Sequence, residues 1–313
     1  VNPTMNENGD HVGGVVGFLK SVGYTVRTLE ASRCIIVFDG KGGSQRKRKI
    51  YPDYKGKKRP KFRVNRTYKD MLSAEDEHKS MKAQLARVVE YLELLPVSIM
   101  IHDNIEADDV IGYLASNIFD KPTQNVNIVS TDKDFIQLVN DNVSIWSPTK
   151  KILLNKKRVI DEYQIPAHNF LMYRILDGDV SDNIPGVPGV GIKSLIKRFP
   201  MITENETVGI DDIMQHANDN VGKIKLYNTI IESEELMKRN YRLMQLNDAD
   251  ISGTTKLKIM SQSREPINRL NQYEFTTMVI KDGINEAFND PHMWMQNNFM
   301  TMDIFAKRTH EDE

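Results

Sequence analysis

The sequence is short of several things, and each shortage narrows what the chain can be. It has one cysteine in 313 residues, so no internal disulfide forms and a reducing, cytoplasmic setting is expected. No apolar run approaches the ~20 residues needed to span a bilayer, and a membrane role is not expected. The acidic motifs carry no His or Cys beside them, which disfavours zinc. Net charge is nearly absent as well, at −1. That last absence is deceptive.

Residues 41–70 hold thirteen Lys or Arg against two Asp, so the rest of the chain is acidic. A basic stretch set against carboxylate clusters suggests a polyanionic substrate and the metal that works on it. With 40% hydrophobic and 27% charged residues, the chain is large enough for a sizeable core and a second lobe. Cys34 falls in an expected strand, where it reads as a small buried hydrophobe.

Three short apolar runs of the kind that forms buried strands lead directly into acid. Residues 97–101 run into Glu106-Ala107-Asp108-Asp109, residues 126–129 into Thr131-Asp132-Lys133-Asp134, and residues 34–38 into Asp39-Gly40. In a parallel α/β sheet, ligands collect at the carboxyl ends of the strands, so neighbouring strands of this kind aim their acids into one crevice. Two carboxylates about 5 Å apart repel by roughly 3 kcal/mol at an effective dielectric of about 20. Such a cluster protonates, spreads into water or takes up cations, and all-oxygen ligands favour Mg²⁺ or Mn²⁺. Taken singly, each acid also reads as a helix cap.

The basic stretch contains Arg46-Lys47-Arg48-Lys49 and then Tyr51-Pro52-Asp53-Tyr54-Lys55-Gly56-Lys57-Lys58-Arg59. Pro and Gly break it into a loop or a short-helix arch, in which Tyr51, Tyr54 and Phe62 are placed to stack on bases while cations meet phosphates. A solvated charged loop has the same composition. Helices are expected where Val15, Val16, Leu19 and Val22 share a face, and where Met81, Leu85, Val88, Leu92 and Leu95 keep helical spacing before Pro96. Further helices are expected over residues 170–176 and 275–288, with short strands over 143–146 and 152–154. Met293, Trp294, Phe299, Met302 and Phe305 read as a packing face, with a partner-binding peptide as the other option.

Asp177-Gly178-Asp179-Val180-Ser181-Asp182-Asn183 precedes Gly186-Val187-Pro188-Gly189-Val190-Gly191-Ile192-Lys193. Helix, glycine-rich hairpin, helix suits a phosphate, because glycine lets backbone come close and the second helix presents N–H groups. An ordinary turn explains the bare pattern equally well. The two carboxylates just before it favour the first reading.

Taken in order, Phe38-Asp39-Gly40, Tyr54-Lys55, Glu106-Ala107-Asp108-Asp109, Thr131-Asp132-Lys133-Asp134, Gly178-Asp179-Val180-Ser181-Asp182-Asn183 and Gly186-Val187-Pro188-Gly189-Val190-Gly191 resemble the 5′-nuclease, or flap endonuclease, family. The likeness is nearest to bacteriophage ribonuclease H and 5′-to-3′ exonucleases and to the 5′-nuclease domain of bacterial DNA polymerase I, and it covers residues 9–250. It implies an α/β fold of the PIN/5′-nuclease type, with a mostly parallel central sheet flanked by helices. The implied domains are a catalytic one over residues 1–165, with a basic helical arch at 41–75, and a helical one over 166–313, with a helix-hairpin-helix at 170–200.

The resemblance also implies a metal-dependent phosphodiesterase that removes RNA primers or 5′ flaps during replication. Its metal carboxylates fall on Asp39, Glu106, Asp108, Asp109, Asp132, Asp134, Asp179 and Asp182, with Asp39, Asp108, Asp132 and Lys55 as the catalytic set. Glu106, Asp108, Asp109 and Asp132 would mainly hold the catalytic pair of Mg²⁺ ions, or Mn²⁺ in their stead. Asp134, Asp179 and Asp182 would hold a second ion or its water shell, and Lys55 would offset charge on the scissile phosphate. DNA contacts fall on Lys47, Arg48, Tyr54, Lys55 and Arg59, the arch arginine lying near Lys47 or Arg48. Gly186, Gly189, Gly191 and Lys193 match the duplex-gripping hairpin, where a potassium ion bridges to phosphate. Implied partners are DNA and RNA–DNA duplexes with 5′ flaps or ends, and replication proteins such as a single-strand-binding protein or sliding clamp. The protein is expected to be a monomer in the cytoplasm, the host's if it comes from a bacteriophage.

One departure stands out. Family members open with a strand ending in an Asp-Gly-x-Asn-like motif whose Asp is a metal ligand, and nothing like it precedes Asn8. The chain is therefore expected to lack its true N-terminus. If it starts at Val1, the sheet and metal site are incomplete and the rival reading is a catalytically idle DNA-binding protein of the same fold. A metal-dependent phosphatase on a doubly wound sheet is a third reading, which leaves the basic run and the hairpin unused.

Overall fold

The structure is a computed structural model, and it describes residues 5–6, 9–56, 74–247 and 249–311. In chain order the elements are α1 (Gly13–Thr28), β1 (Ile35–Asp39), α2 (Gln45–Ile50), α3 (Ala74–Glu93), β2 (Ser98–His102), α4 (Ala107–Tyr113), β3 (Val126–Val129), β4 (Val143–Ser147), β5 (Ile152–Leu154), α5 (Lys156–Tyr163) and α6 (Ala167–Asp177). There follow β6 (Gly178–Asp179), β7 (Ile184–Pro185), α7 (Ile192–Arg198), α8 (Ile210–Asp219), α9 (Lys225–Glu232), α10 (Glu234–Met244), α11 (Gly253–Arg264), α12 (Gln272–Lys281), α13 (Asn285–Phe288) and α14 (Pro291–Glu311). A 3₁₀ helix over Lys133–Leu138 follows β3. The expected α/β class holds, with the later helices all falling in the C-terminal part of the chain.

The chain divides into two units, each assembled from separate stretches: Val1–Ile36, Arg59–Met100 and Gln262–Glu313 form one, Val37–Lys58 and Ile101–Ser261 the other. β1 and β2 pair with each other.

The second unit carries the acidic motifs. β3 and β4 run parallel, with Val126 opposite Val143 and Val129 opposite Trp146, and β5 returns antiparallel with Leu154 opposite Ile145. The sheet is thus mixed. β-Branched residues suit a pleated, half-buried surface, and Ile128, Val143 and Ile145 are buried in one core with Phe135, Ile136, Phe170 and Ile175. Burying each such side chain is worth about 1.5–3 kcal/mol, which fixes the ends of the strands and thereby the acids that follow them. After β1 the chain must pass against β2: a Cβ on Gly40 would lie 1.9 Å from the His102 carbonyl oxygen.

In the first unit α1 packs on α3 and α14, and α12 on α14. Leu19, Tyr91, Leu92, Phe275, Phe299 and Met302 are fully buried there, and Trp294 stacks on Phe275 with ring centroids 5.6 Å apart. The packing-face reading of the last helix therefore holds for Phe299 and Met302, while Met293 and Phe305 are exposed. Two further expectations are corrected. Met81 and Leu85 are 58% and 50% exposed, because cover on α3 begins only at Val88. The helix expected over 275–288 is two helices, broken where Gly283 takes φ +61°, a conformation that ends helices. Among the described residues no helix is long and apolar enough to cross a membrane.

Candidate active site

α4 begins at an acidic cap. Glu106 is its N-cap residue and is 3% exposed; its Oε2 lies 2.7 Å from Lys47 Nζ and accepts from Tyr54 Oη at 2.9 Å, while its Oε1 accepts from Lys55 Nζ at 2.6 Å. Burial opposes the charge, yet Lys47 and Lys55 outweigh it and hold Glu106 at about 2. Asp109, 1% exposed, meets Arg46 Nη2 at 2.8 Å and Lys47 Nζ at 3.5 Å. Burial would strip the proton from Lys47, but Asp109 and Glu106 raise its pKa instead. Consecutive cations on the short α2 thus neutralise two buried acids on α4.

Asp182 joins this network from the loop between β6 and β7. Tyr54 Oη donates to its Oδ2 at 3.2 Å, and Lys55 Nζ stands 3.8 Å from the same atom. The backbone is tied too: Lys55, at φ +52°, donates its N–H to the Asp182 carbonyl at 2.8 Å, and Asn183 Nδ2 donates to the Asp53 carbonyl at 2.8 Å. Burial raises the Asp182 carboxyl.

Asp108 faces the other way. It lines a cavity of about 410 Å³ together with Asp132, Lys133, Arg174 and Asp179. Burial pushes it up to about 7, Lys47 offsetting part of the shift and Asp132 adding to it. Among the described residues no ion pair reaches Asp108 or Asp132. Two acids also serve as caps: Asp132 Oδ1 accepts from Asp134 N at 2.8 Å, and Asp39 Oδ1 from Ala107 N at 2.9 Å.

Asp134 and Asp179 share an arginine. Arg174, 6% exposed on α6, donates through Nε to Asp134 Oδ1 at 2.7 Å and through Nη2 to Asp179 Oδ2 at 2.6 Å. Burial still leaves Asp134 raised to about 6. Asp179 is lowered, its burial outweighed by hydrogen bonds from Ser181 and by Arg174.

The hairpin follows directly. Gly178 takes φ +76°, and a Cβ there would lie 2.4 Å from Gly186 N, so the β6–β7 pair closes only on glycine. Gly186 packs against the Asp177 carbonyl, whereas Gly189 and Gly191 have open space where a side chain would be. Gly191 starts α7, its N–H donated to Ser194 Oγ at 3.0 Å, and Lys193 is exposed.

The structure therefore draws Glu106, Asp108, Asp109, Asp132, Asp134, Asp179 and Asp182 into one linked set, with Asp39 attached through the start of α4. Lys47 and Tyr54, expected on DNA, are instead 4% and 2% exposed beneath the carboxylates. Arg48 donates from Nε to the Tyr54 carbonyl at 3.2 Å, and Tyr51 carries the Arg239 guanidinium 4.2 Å from its ring centroid. Arg59 and Phe62 lie outside the described residues. Among the described residues no three His, Cys, Asp or Glu side chains stand in a metal-holding arrangement.

Residues 1–164 match the family described as "5′-3′ exonuclease, N-terminal resolvase-like domain". The chain belongs to this 5′-3′ exonuclease family. It is 34% identical over 194 residues to a 5′-3′ exonuclease of Aquifex aeolicus, which covers 62% of this chain and 61% of that protein. The chain thus spans about three fifths of that relative's length. It is 30% identical over 229 residues to flap endonuclease Xni of Shewanella denitrificans, covering 71% and 77%. In fold it is similar to the bacteriophage T5 flap endonuclease solved with DNA and metal ions, at a TM-score of 0.60 and 21% identity over 86% of this chain and 90% of that one.

Two residues of this cluster escaped the sequence reading, Arg46 and Arg174. A signal existed for Arg174: it interrupts an apolar helix, residues 170–176, five positions before Asp179, and a charge on a buried helix requires a partner.

Proposed function

We propose that the chain is a divalent-ion-dependent phosphodiesterase acting on DNA or RNA–DNA duplexes with 5′ ends or flaps, in primer removal or flap trimming. The observation that carries this reading is the Asp108–Asp132 pair: two carboxylates on one open cavity, in no ion pair among the described residues, and all-oxygen in their chemistry. Those residues fit a hard ion such as Mg²⁺ or Mn²⁺. When bound there, it would supply Lewis acidity toward water and a phosphoryl oxygen.

The chain's own residues do the rest. Lys55 stays protonated, since Glu106 raises its pKa against the pull of burial, and its partly exposed ammonium offsets negative charge on a phosphate. Glu106 and Asp109 are held in place by Lys47 and Arg46, which keeps the start of α4, and so Asp108, in one position. Burial raises the Asp108 carboxyl to about 7, so ion uptake there competes with a proton. Gly186 to Gly191 and Lys193 are proposed to grip the duplex backbone without reading sequence, with a potassium ion bridging the hairpin to a phosphate. A catalytic domain over residues 1–165, a DNA-holding helical one over 166–313, action as a monomer in the cytoplasm and work beside a single-strand-binding protein or clamp belong to the same proposal.

The test is cleavage of a labelled 5′-flap duplex and an RNA–DNA duplex in Mg²⁺. Products with the wild type and none with Asp132→Ala/Asp134→Ala support it. One observation favours the idle DNA-binding alternative: no three-ligand metal group stands assembled among the described residues. A wild type that binds flap duplex but never cuts it would establish that alternative.

A further inference from the structure

Arg174 sits where the resemblance puts a second ion. Its guanidinium is used on every side: Nε on Asp134, Nη2 on Asp179, and Nη1 on the Gly178 carbonyl at 3.2 Å. The rest of Asp179 is committed as well, because its Oδ1 accepts from Ser181 N and Oγ at 2.6 Å each and from Asp182 N at 3.3 Å. Mg²⁺ demands near-octahedral oxygens at about 2.0–2.1 Å, and of the four oxygens of this pair only Asp134 Oδ2 is uncommitted among the described residues, so an ion held by both carboxylates must compete with Arg174 for Asp179 Oδ2 or with Ser181 for Asp179 Oδ1. A guanidinium does not lose its proton, and its planar fork fits two carboxylates at once. The residues as they stand do not fit a second divalent ion.

We infer that Arg174 takes that ion's place as a fixed positive charge, and that the chain holds a single divalent ion, at Asp108 and Asp132. This rests on the ion-dependent reading above. Arg174 is then a positioning residue: it sets the spacing of Asp134 and Asp179, and through the Asp134 N–H on Asp132 Oδ1 it orients the ion-holding carboxylate. An arginine built into the fold cannot be removed by a chelator, so the charge balance of Asp134 and Asp179 is independent of ion supply.

Counting bound Mn²⁺ on the full chain by electron paramagnetic resonance tests this. One ion is expected in the wild type, two in Arg174→Ala and one in Arg174→Lys, which keeps the charge. Two ions in the wild type, or an unchanged count in Arg174→Ala, overturn the inference. If Arg174→Ala does not fold, Asp134→Asn decides: the count stays at one if Asp134 is no ligand, and loss of an ion overturns the inference. Flap cleavage measured on the same samples is a separate outcome. A chain that cuts nothing but goes from one ion to two on losing Arg174 refutes the proposed hydrolysis and leaves the assignment of Arg174 intact.

Discussion

Glu106 and Asp108 stand two residues apart at the start of one helix and behave as opposites. Lys47 and Lys55 hold the first near 2, whereas burial holds the second near 7. The acids around Glu106 are matched by cations from the chain itself, as Asp134 and Asp179 are by Arg174, whereas Asp108 and Asp132 make no ion pair among the described residues. Matched acids position the backbone. Unmatched ones are left to deal with something from outside.

If that division is right, removing the unmatched pair has the largest effect. Asp108→Asn with Asp132→Asn should lower flap cleavage by about 10³-fold, read in single-turnover assays, with the fold intact by circular dichroism. Retained cleavage would dissolve the contrast. Next in size, Lys47→Met leaves Glu106 and Asp109 without their shared buried ammonium and should destabilise by about 3–5 kcal/mol in urea denaturation. A neutral result would mean that Arg46 and Lys55 suffice.

The ion-free protein offers a pH test of the same contrast. Asp108's folded pKa is raised, so its contribution favours folding below about pH 4 and is lost as pH rises through about 7. Glu106 is lowered, so its contribution is present above about 4.5 and is lost as pH falls toward about 2. Asp108→Asn should therefore stabilise the ion-free protein at pH 8 by about 1–3 kcal/mol and lessen its loss of stability between about pH 4 and 7, leaving the smaller contribution of Asp134. Millimolar Mg²⁺ should raise the wild-type melting temperature, by about 1–3 kcal/mol of ligand linkage, and do nothing for the double variant. Smallest of all, Lys193→Ala should weaken duplex binding a few-fold and reduce the salt slope by about one.

Much of this was legible in the sequence. β-Branched runs ending in acid marked β1, β2 and β3, and the acids do converge on one unit. Local pattern carries that information because strands report their burial residue by residue. The pairing did not show. Lys47 and Tyr54 looked like a surface for nucleic acid because a basic run is normally solvated, but their partners, Glu106 and Asp182, lie 59 and 128 positions away in the chain. Arg174 was hidden the same way, its partner Asp134 lying 40 positions upstream. Met81 and Leu85 kept helical spacing without a neighbour to cover them, which periodicity cannot report.

The crosslinks between residues 53–55 and 182–183 have a mechanical consequence. The peptide that carries Lys55 is stitched to the loop that feeds the glycine hairpin, so a load taken by the hairpin is transmitted to that lysine through a few stiff bonds. Grip and chemistry would then share one lever arm, and loosening the stitch, for instance at Asn183, would leave both parts present but out of step.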